Sequence, residues 1–356
     1  MNELWDRIKM GSSFKKKISI VVPVRNCRTT IKNLLDSLME LNYPKDKIEI
    51  IVVDGKSTDG NREVLENYPI KILDEPGLGL NYARNLGFKN STGEIIALTD
   101  GDCIVPEDWA TNILKDFEDE SIGIVGGTIV TGNPENIYAR YINGSIIPVM
   151  PTFEKKLIFE KAKLPHYPIG CNMAFRREVL EMIDGFDSNF KTGFDEVDTL
   201  ERIGKTTDFR IACDPKVYVI HFHRSNLKDF LKQQFRYGWG ESLFRKKHPK
   251  SRITRTLSIA MCLYLMFSMT ILVSFILSIF YQSLLRSLMI IYGMFYLGSL
   301  CLYVSRLKKI RWFDVFVFPV LDFLRLGALF LGDLYFSSIN RINLLRSTRY
   351  AGRFRA

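Results

Sequence analysis

Two carboxylates, Asp100 and Asp102, stand one residue apart where the apolar run IIALT gives way to DGDCIVPEDW (100–109). Alone, an Asp-Gly step reads as a turn. Paired hard oxygens on a short turn also suit Mg²⁺ or Mn²⁺, which takes one or two protein carboxylates and completes its shell with phosphate oxygens and water. That reading implies a phosphate-bearing substrate. Asp54 ends a second apolar run, IEIIVVD (48–54), and FDEVDTLER (194–202) brings Asp195, Glu196 and Asp198. The latter segment is either a solvated acidic helix or the source of a proton acceptor. Arg84 is either an exposed helix arginine or a phosphate partner. His221 and His223 follow the strand-like VYVI. On a strand their rings would point to opposite faces, so at most one is expected at the site.

The elements that must position these groups alternate in type. ISIVV (18–22), IEIIVV (48–53), IKIL (70–73) and IIALT (95–99) are continuous and β-branched, as strands covered on both faces should be. Between the first two, Ile31, Leu34, Leu35 and Leu38 recur at helical spacing. Strand, helix, strand repeated predicts a mostly parallel sheet with right-handed crossovers, and ligands lie beyond the carboxyl ends of such strands. PVRN (23–26), DGKSTDG (54–60) and TDGDC (99–103) occupy those ends. There is no GxxxxGK[ST] and no GxGxxG after the first strand, which disfavours a P-loop ATPase and a dinucleotide dehydrogenase.

Charge separates the chain into two parts. From Ser251 onward there are 13 Lys/Arg against 3 acidic residues, which accounts for the whole net charge of +10 and leaves residues 1–250 balanced. A basic nucleic-acid groove in the folded part is therefore excluded, and the excess sits beside apolar segments, where it would meet anionic lipid. Leu257–Tyr281 and Ser287–Ser305 carry no charge and can cross a bilayer. The six cysteines are scattered, with no metal-type spacing. The first residues lack the apolar core of a signal peptide, so the amino-terminal domain is expected in the cytoplasm.

In order along the chain, VVPVRN, VVDGKSTDGN, GLGLNYARNLG, LTDGDCIVPEDW, PIGCNMAFRREVL, GFDEVDTLER and QQFRYG resemble the motifs of the inverting family-2 glycosyltransferases of GT-A fold, from about Ile18 to Gly240. The resemblance implies an α/β fold, a Rossmann-like GT-A domain with a mostly parallel sheet, followed by transmembrane or interfacial helices. It also implies a divalent metal, Mn²⁺ or Mg²⁺, and a UDP- or GDP-sugar donor. Pro23, Val24, Arg25 and Asn26 would line the nucleoside, and Asp54 would hydrogen-bond the nucleobase. The second acidic residue that often follows that aspartate is here Gly55. Arg84, Asn85 and Gly101 fall near the donor, Asp102 on the direct metal ligand, Asp100 between ribose and metal, and His221 on a late histidine that completes the metal shell in several such enzymes. The family's base is the second residue of a Glu-Asp pair, and this chain reads Asp195-Glu196, so either carboxylate remains open. Gly170, Asn172, Asp198, Gln233, Arg236 and Tyr237 fall on acceptor positions. The implied mechanism has one carboxylate deprotonate the acceptor hydroxyl, which attacks the anomeric carbon opposite the leaving nucleoside diphosphate.

The expected organisation is a lead-in (1–17), a catalytic domain (18–240), a basic linker (241–256), a transmembrane hairpin (257–305) and an interfacial or re-entrant helix with a basic tail (306–356). Within Phe313–Phe336, Asp314, Asp322, Arg325 and Asp333 fall on one helical arc, expected to face water and to keep the carboxyl terminus cytoplasmic. The favoured function is transfer of one sugar to a lipid-linked or glycan-precursor acceptor at a cell membrane. A polyprenyl-phosphate glycosyltransferase, a processive synthase and an inactive membrane scaffold are the competing readings.

Overall fold

The β-branched runs form strands whose carboxyl ends lie side by side. The structure, a computed structural model, describes residues 16–147, 149–164, 166–191, 193–307 and 310–352. The lead-in before residue 16 and Arg353, Arg355 and Ala356 lie outside the described residues, as do the side chains of Arg341, Arg346 and Arg349. The chain divides into one unit of Met1–Pro134 and Met150–His223 and a second of Glu135–Val149 and Arg224–Ala356. The first unit runs to His223.

In the first unit β1 (Ile18–Val24), β2 (Ile48–Asp54), β3 (Lys71–Asp74) and β4 (Ile95–Leu98) are parallel in the order β3-β2-β1-β4. Helix α1 (Arg28–Met39) joins the first pair, α2 (Asn61–Leu65) the second and α3 (Leu80–Lys89) leads to β4. Register puts Val24 beside Asp54 and Asp54 beside Asp74, so three strands end level. Side-chain alternation sends Val21, Ile51, Val53, Ile96 and Leu98 into one core and Ile20, Val22, Val52 and Ala97 into the other. Ile31, Leu34, Leu35 and Leu38 of α1 are buried, as their spacing predicts.

Beyond β4 the sheet turns mixed. After β5 (Cys103–Ile104) and α4 (Trp109–Asp116), β6 (Ile122–Thr131) pairs parallel with β9 (Arg210–His221). Strands β7 (Leu157–Phe159) and β8 (Met173–Arg176) run antiparallel to their partners. The short β5 is also antiparallel to β9, with Cys103 opposite His221 and Phe222 N donating to Asp102 O at 2.9 Å. That pairing fixes the end of β9 against the acidic turn. Helices α6 (Arg177–Met182) and α7 (Asp195–Thr206) precede β9.

The second unit combines α5 (Ile137–Gly144), inserted between β6 and β7, with α8 (Leu227–Lys247), α9 (Arg252–Phe280), α10 (Gln282–Val304) and α11 (Asp314–Gly352). Among the described residues two helical stretches are long and apolar enough to cross a membrane, Arg252–Leu277 with mean hydropathy 2.3 and Asp314–Ser338 with 1.9. In α10 the apolar part, Met289–Val304, is shorter. The charged arc of α11 does not face water as the sequence suggests. Asp314, Asp322 and Asp333 are buried. Arg140 of α5 donates to both oxygens of Asp314 at 2.9 and 2.7 Å. Tyr141 Oη at 2.7 Å, Ser145 Oγ at 2.8 Å and Tyr303 Oη converge on Asp322. Arg245 of α8 pairs with Asp333, and Arg325 Nε reaches Gln234 Oε1 at 3.2 Å. A charge against apolar surroundings persists only when paired, and here the partners come from α5 and α8, which sequence periodicity in α11 alone cannot reveal.

Close approach of α8 and α11 requires two glycines. A β-carbon at Gly238 would lie 1.9 Å from Leu329 O, and one at Gly332 would lie 1.9 Å from Phe235 O. Gly238→Ala and Gly332→Ala are each expected to destabilise the detergent-purified protein by on the order of 1–3 kcal/mol in thermal unfolding. Gly293→Ala, at a position with nothing within 4 Å, is the control and should be neutral.

Candidate active site

At the level carboxyl ends of β1 and β2, Asp54 is buried, and its Oδ1 accepts from Ser57 N at 3.1 Å and Ser57 Oγ at 2.6 Å. Ser57 Oγ in turn accepts from Asn26 N at 2.9 Å, while Asn26 Oδ1 accepts from Thr58 N at 2.8 Å. Asn26 and Lys56 both adopt left-handed backbone, with φ of 52° and 58°. Such residues persist only where surrounding bonds over-determine them, and they concentrate at ligand sites. Pro23 and Val24 are buried, Arg25 and Asn26 exposed. The result is a rigid rim around Asp54 Oδ2, which has no hydrogen-bond partner among the described residues.

Arg84 is not an exposed helix residue. Only 2% of it is exposed, and its Nη1 donates to Asp195 and, at 3.3 Å, to Asn81 Oδ1. Its Nη2 lies 4.0 Å from Asp100 Oδ1. A β-carbon at Gly170 would fall 2.2 Å from Nη2, so this turn leaves the guanidinium its slot. One cation thus stands between the strand-end aspartates and the acidic first turn of α7. Neighbouring Glu196 is half-buried, and its Oε1 accepts from Gly170 N at a long 3.4 Å. Burial pushes the Glu196 carboxyl up to about 8, with Asp195 adding to the shift and Arg84 opposing it. Of the two candidates for a proton acceptor, Asp195 is committed to Arg84 and Glu196 carries no ion pair among the described residues.

Asp100, Asp102 and His221 place their ligand atoms within 4.8 Å of one another. His221 Nε2 lies 3.3 Å from Asp102 Oδ1. Asp100 Oδ1 is buried without a hydrogen bond, and burial raises the Asp100 carboxyl, partly offset by Arg84. An orphaned carboxylate oxygen facing a second carboxylate and an imidazole fits a small divalent cation. His221 and His223 do not point apart. Their rings stack with centroids 4.5 Å apart, because β9 ends at His221 and strand alternation no longer applies beyond it.

Other expected site residues are held elsewhere. Asn85 Nδ2 donates to Phe186 O at 2.7 Å and its Oδ1 accepts from Phe186 N at 2.8 Å, bracing the turn before α7. Asn172 is fully buried, bonded to Trp109 Nε1 at 2.9 Å and to Val217 O at 2.9 Å. Asp198 accepts from Arg202 Nε at 2.8 Å within α7. Gln233, Arg236 and Tyr237 share one face of α8 in the second unit. Sequence reading passed over Glu75, a buried carboxylate immediately after β3, because DEPG there reads as an ordinary turn.

Residues 19–183 match the family described as glycosyl transferase family 2. Over 233 residues the chain is 28% identical to glycosyltransferase AglE of Haloferax volcanii, covering 63% of this chain and 72% of the relative. It is 26% identical over 245 residues to a dolichyl N-acetyl-α-D-glucosaminyl phosphate 3-β-D-2,3-diacetamido-2,3-dideoxy-β-D-glucuronosyltransferase of Methanococcus voltae, covering 65% and 74%. Among solved structures it is similar in fold to the mannosyltransferase PcManGT of Pyrobaculum calidifontis in complex with GDP-Man and Mn²⁺. The TM-score is 0.62 at 21% identity, over 93% of this chain and 94% of the other.

Removing the shared guanidinium would leave buried carboxylates unpaired. Arg84→Ala is expected to destabilise the protein by on the order of 3–5 kcal/mol in urea unfolding, with Arg84→Lys recovering only part, because a point charge cannot serve two carboxylates and Asn81 together.

Proposed function

We propose that this glycosyltransferase, which carries a family 2 domain over residues 19–183 in a GT-A fold, moves one sugar with inversion from a nucleoside-diphosphate sugar to a lipid-linked acceptor at a membrane surface. The observation that carries the reading is the single buried Arg84 between two acidic groups of different character. One group, Asp100 and Asp102 with His221, suits a diphosphate-bound cation, and the other, Asp195 and Glu196, offers a proton acceptor.

Each residue then has a role set by its surroundings. Asp54 Oδ2 accepts from a base N–H within the rim of Pro23, Val24, Arg25 and Asn26. Asp100, Asp102 and His221 would hold Mn²⁺ or Mg²⁺, whose chemistry is to neutralise charge on the diphosphate. Arg84 orients Asp195, and so α7, by its ion pair. Glu196 takes the proton of the acceptor hydroxyl as the acceptor oxygen bonds to the anomeric carbon and the bond from that carbon to the diphosphate breaks on the opposite face. A raised carboxyl makes Glu196 a stronger base than an ordinary glutamate, and one that is charged only at higher pH.

Two further observations favour a lipid-linked acceptor and membrane attachment. The Methanococcus voltae relative is named for a dolichyl phosphate-linked sugar. Leu263, Met266 and Phe275 of α9 are each more than half exposed, as a lipid-facing helix requires. Helix α11 is bonded from Asp314 to Asp333 to α5 and α8 within the second unit, a pairing that supports an interfacial helix rather than a crossing one.

Asp102→Asn should abolish transfer while leaving the unfolding midpoint unchanged. Glu196→Gln should slow turnover on the order of a hundredfold without weakening donor binding, whereas Asp195→Asn should lose stability as well. Because Glu196 must be deprotonated to act, wild-type turnover should rise with pH towards about 8, and Glu196→Gln should flatten that limb. Wild-type activity undiminished by excess chelator, or an active Glu196→Gln beside a stable but inactive Asp195→Asn, would overturn these assignments. For topology, a cysteine placed at Ala356 should resist an impermeant thiol reagent in intact cells and react after lysis; labelling from outside would show that α11 crosses.

A further inference from the structure

The nucleoside rim holds a second carboxylate that neither the motifs nor the mechanism uses. Two acids end β3, and they diverge. Asp74 is turned outward to Arg62 Nη1 at 2.7 Å. Glu75 is turned inward and is 3% exposed, with its backbone N donating to Asp54 O at 2.8 Å. Its Oε1 accepts from Leu78 N and, at 3.2 Å, from Gly79 N, which fixes the side chain. Its Oε2 has no hydrogen-bond or ion-pair partner among the described residues and remains reachable by solvent. An ordinary turn cap needs one oxygen. A carboxylate fixed by one oxygen, with the other open, is placed to accept from a ligand.

Gly55 shows where that oxygen points. A β-carbon at 55 would lie 3.2 Å from Glu75 Oε2, 3.4 Å from Val24 O and 3.7 Å from Arg25 Cβ. The backbone of Gly55 is not left-handed, so nothing in its conformation demands glycine. A side chain there would crowd the Glu75 carboxylate, which lies beside the ends of β1 and β2 next to Asp54. We infer that Glu75 is a second nucleoside-binding carboxylate, accepting with Asp54 from the N–H and O–H donors of the nucleoside in the sugar donor. This rests on the proposed use of a nucleoside-diphosphate sugar. Base N–H and ribose O–H groups present the same chemistry to Oε2, and nucleotides lacking one or the other distinguish them.

The test is calorimetric binding of GDP, UDP and their 2′-deoxy forms, with Mn²⁺ present, to the full-length wild type and Glu75→Gln. Glu75→Gln keeps the oxygen that caps Leu78 and Gly79, so its melting temperature should match the wild type. Its affinity for the better-bound diphosphate should fall roughly tenfold or more, the scale of a lost charge-assisted hydrogen bond. Disappearance of that loss with the 2′-deoxy form assigns Oε2 to the 2′-hydroxyl, and its persistence there assigns Oε2 to the base or the 3′-hydroxyl, which the 3′-deoxy form separates. An unchanged melting temperature beside the lost affinity is the result that a merely structural role for Glu75 would not produce. Equal affinity of wild type and Glu75→Gln for every nucleotide overturns this inference alone. Failure of the wild type to bind any nucleoside diphosphate overturns the underlying reading and this inference with it.

Discussion

A buried guanidinium shared between acids that come from distant parts of the chain is the constraint on which this site depends. Desolvating Arg84 is tolerable only because Asp195 pairs with it directly and Asp100 stands 4.0 Å away. The pairing has consequences in both directions. It commits Asp195, which leaves Glu196 as the carboxylate whose protonation can change, and it offsets part of the desolvation of Asp100 beside Asp102 and His221. Asn81 and the absence of a side chain at Gly170 serve the same end by giving the guanidinium a partner and a slot. In the proposed function, proximity to one cation separates the acids into Asp100 and Asp102, suited to a divalent ion, and Glu196, left free to accept a proton, a division set by environment rather than by residue type.

The second unit solves the same problem with more partners. Asp314, Asp322 and Asp333 are buried in a helix that is otherwise apolar, and each finds donors on α5, α8 or α10. Three hydroxyls converge on Asp322 alone. Such networks specify one packing arrangement, since any sliding of α11 would strand a charge. Gly238 and Gly332 add a steric register to the electrostatic one.

How much of this was legible in the sequence follows from the range of the interactions. The strands around Asp54 and Asp100 could be read directly, because a β-branched run followed by polar punctuation is a local signal. The helical stripe from Ile31 to Leu38 is equally local. The position of Arg84 near the donor is a motif-level expectation, but its burial against Asp195 is not legible because that partner lies 111 positions away, and the arc of α11 reads as solvent-facing because Tyr141 and Arg140 come from an insertion far upstream. The two histidines were assigned to opposite faces by strand alternation, which fails where β9 stops. Glu75 was hidden by its turn-like neighbours, and only the space above Gly55 reveals it.

The proposed division of the acids around Arg84 into a diphosphate side and a base side implies displacement from the face opposite the leaving group, and product stereochemistry reports that geometry directly. With an α-linked nucleoside-diphosphate sugar, proton NMR of the first-formed product should show the β anomer through its large H1–H2 coupling for a gluco-configured sugar. An α-linked product would contradict the assignment of one acidic pair to the leaving diphosphate and the other to the attacking hydroxyl.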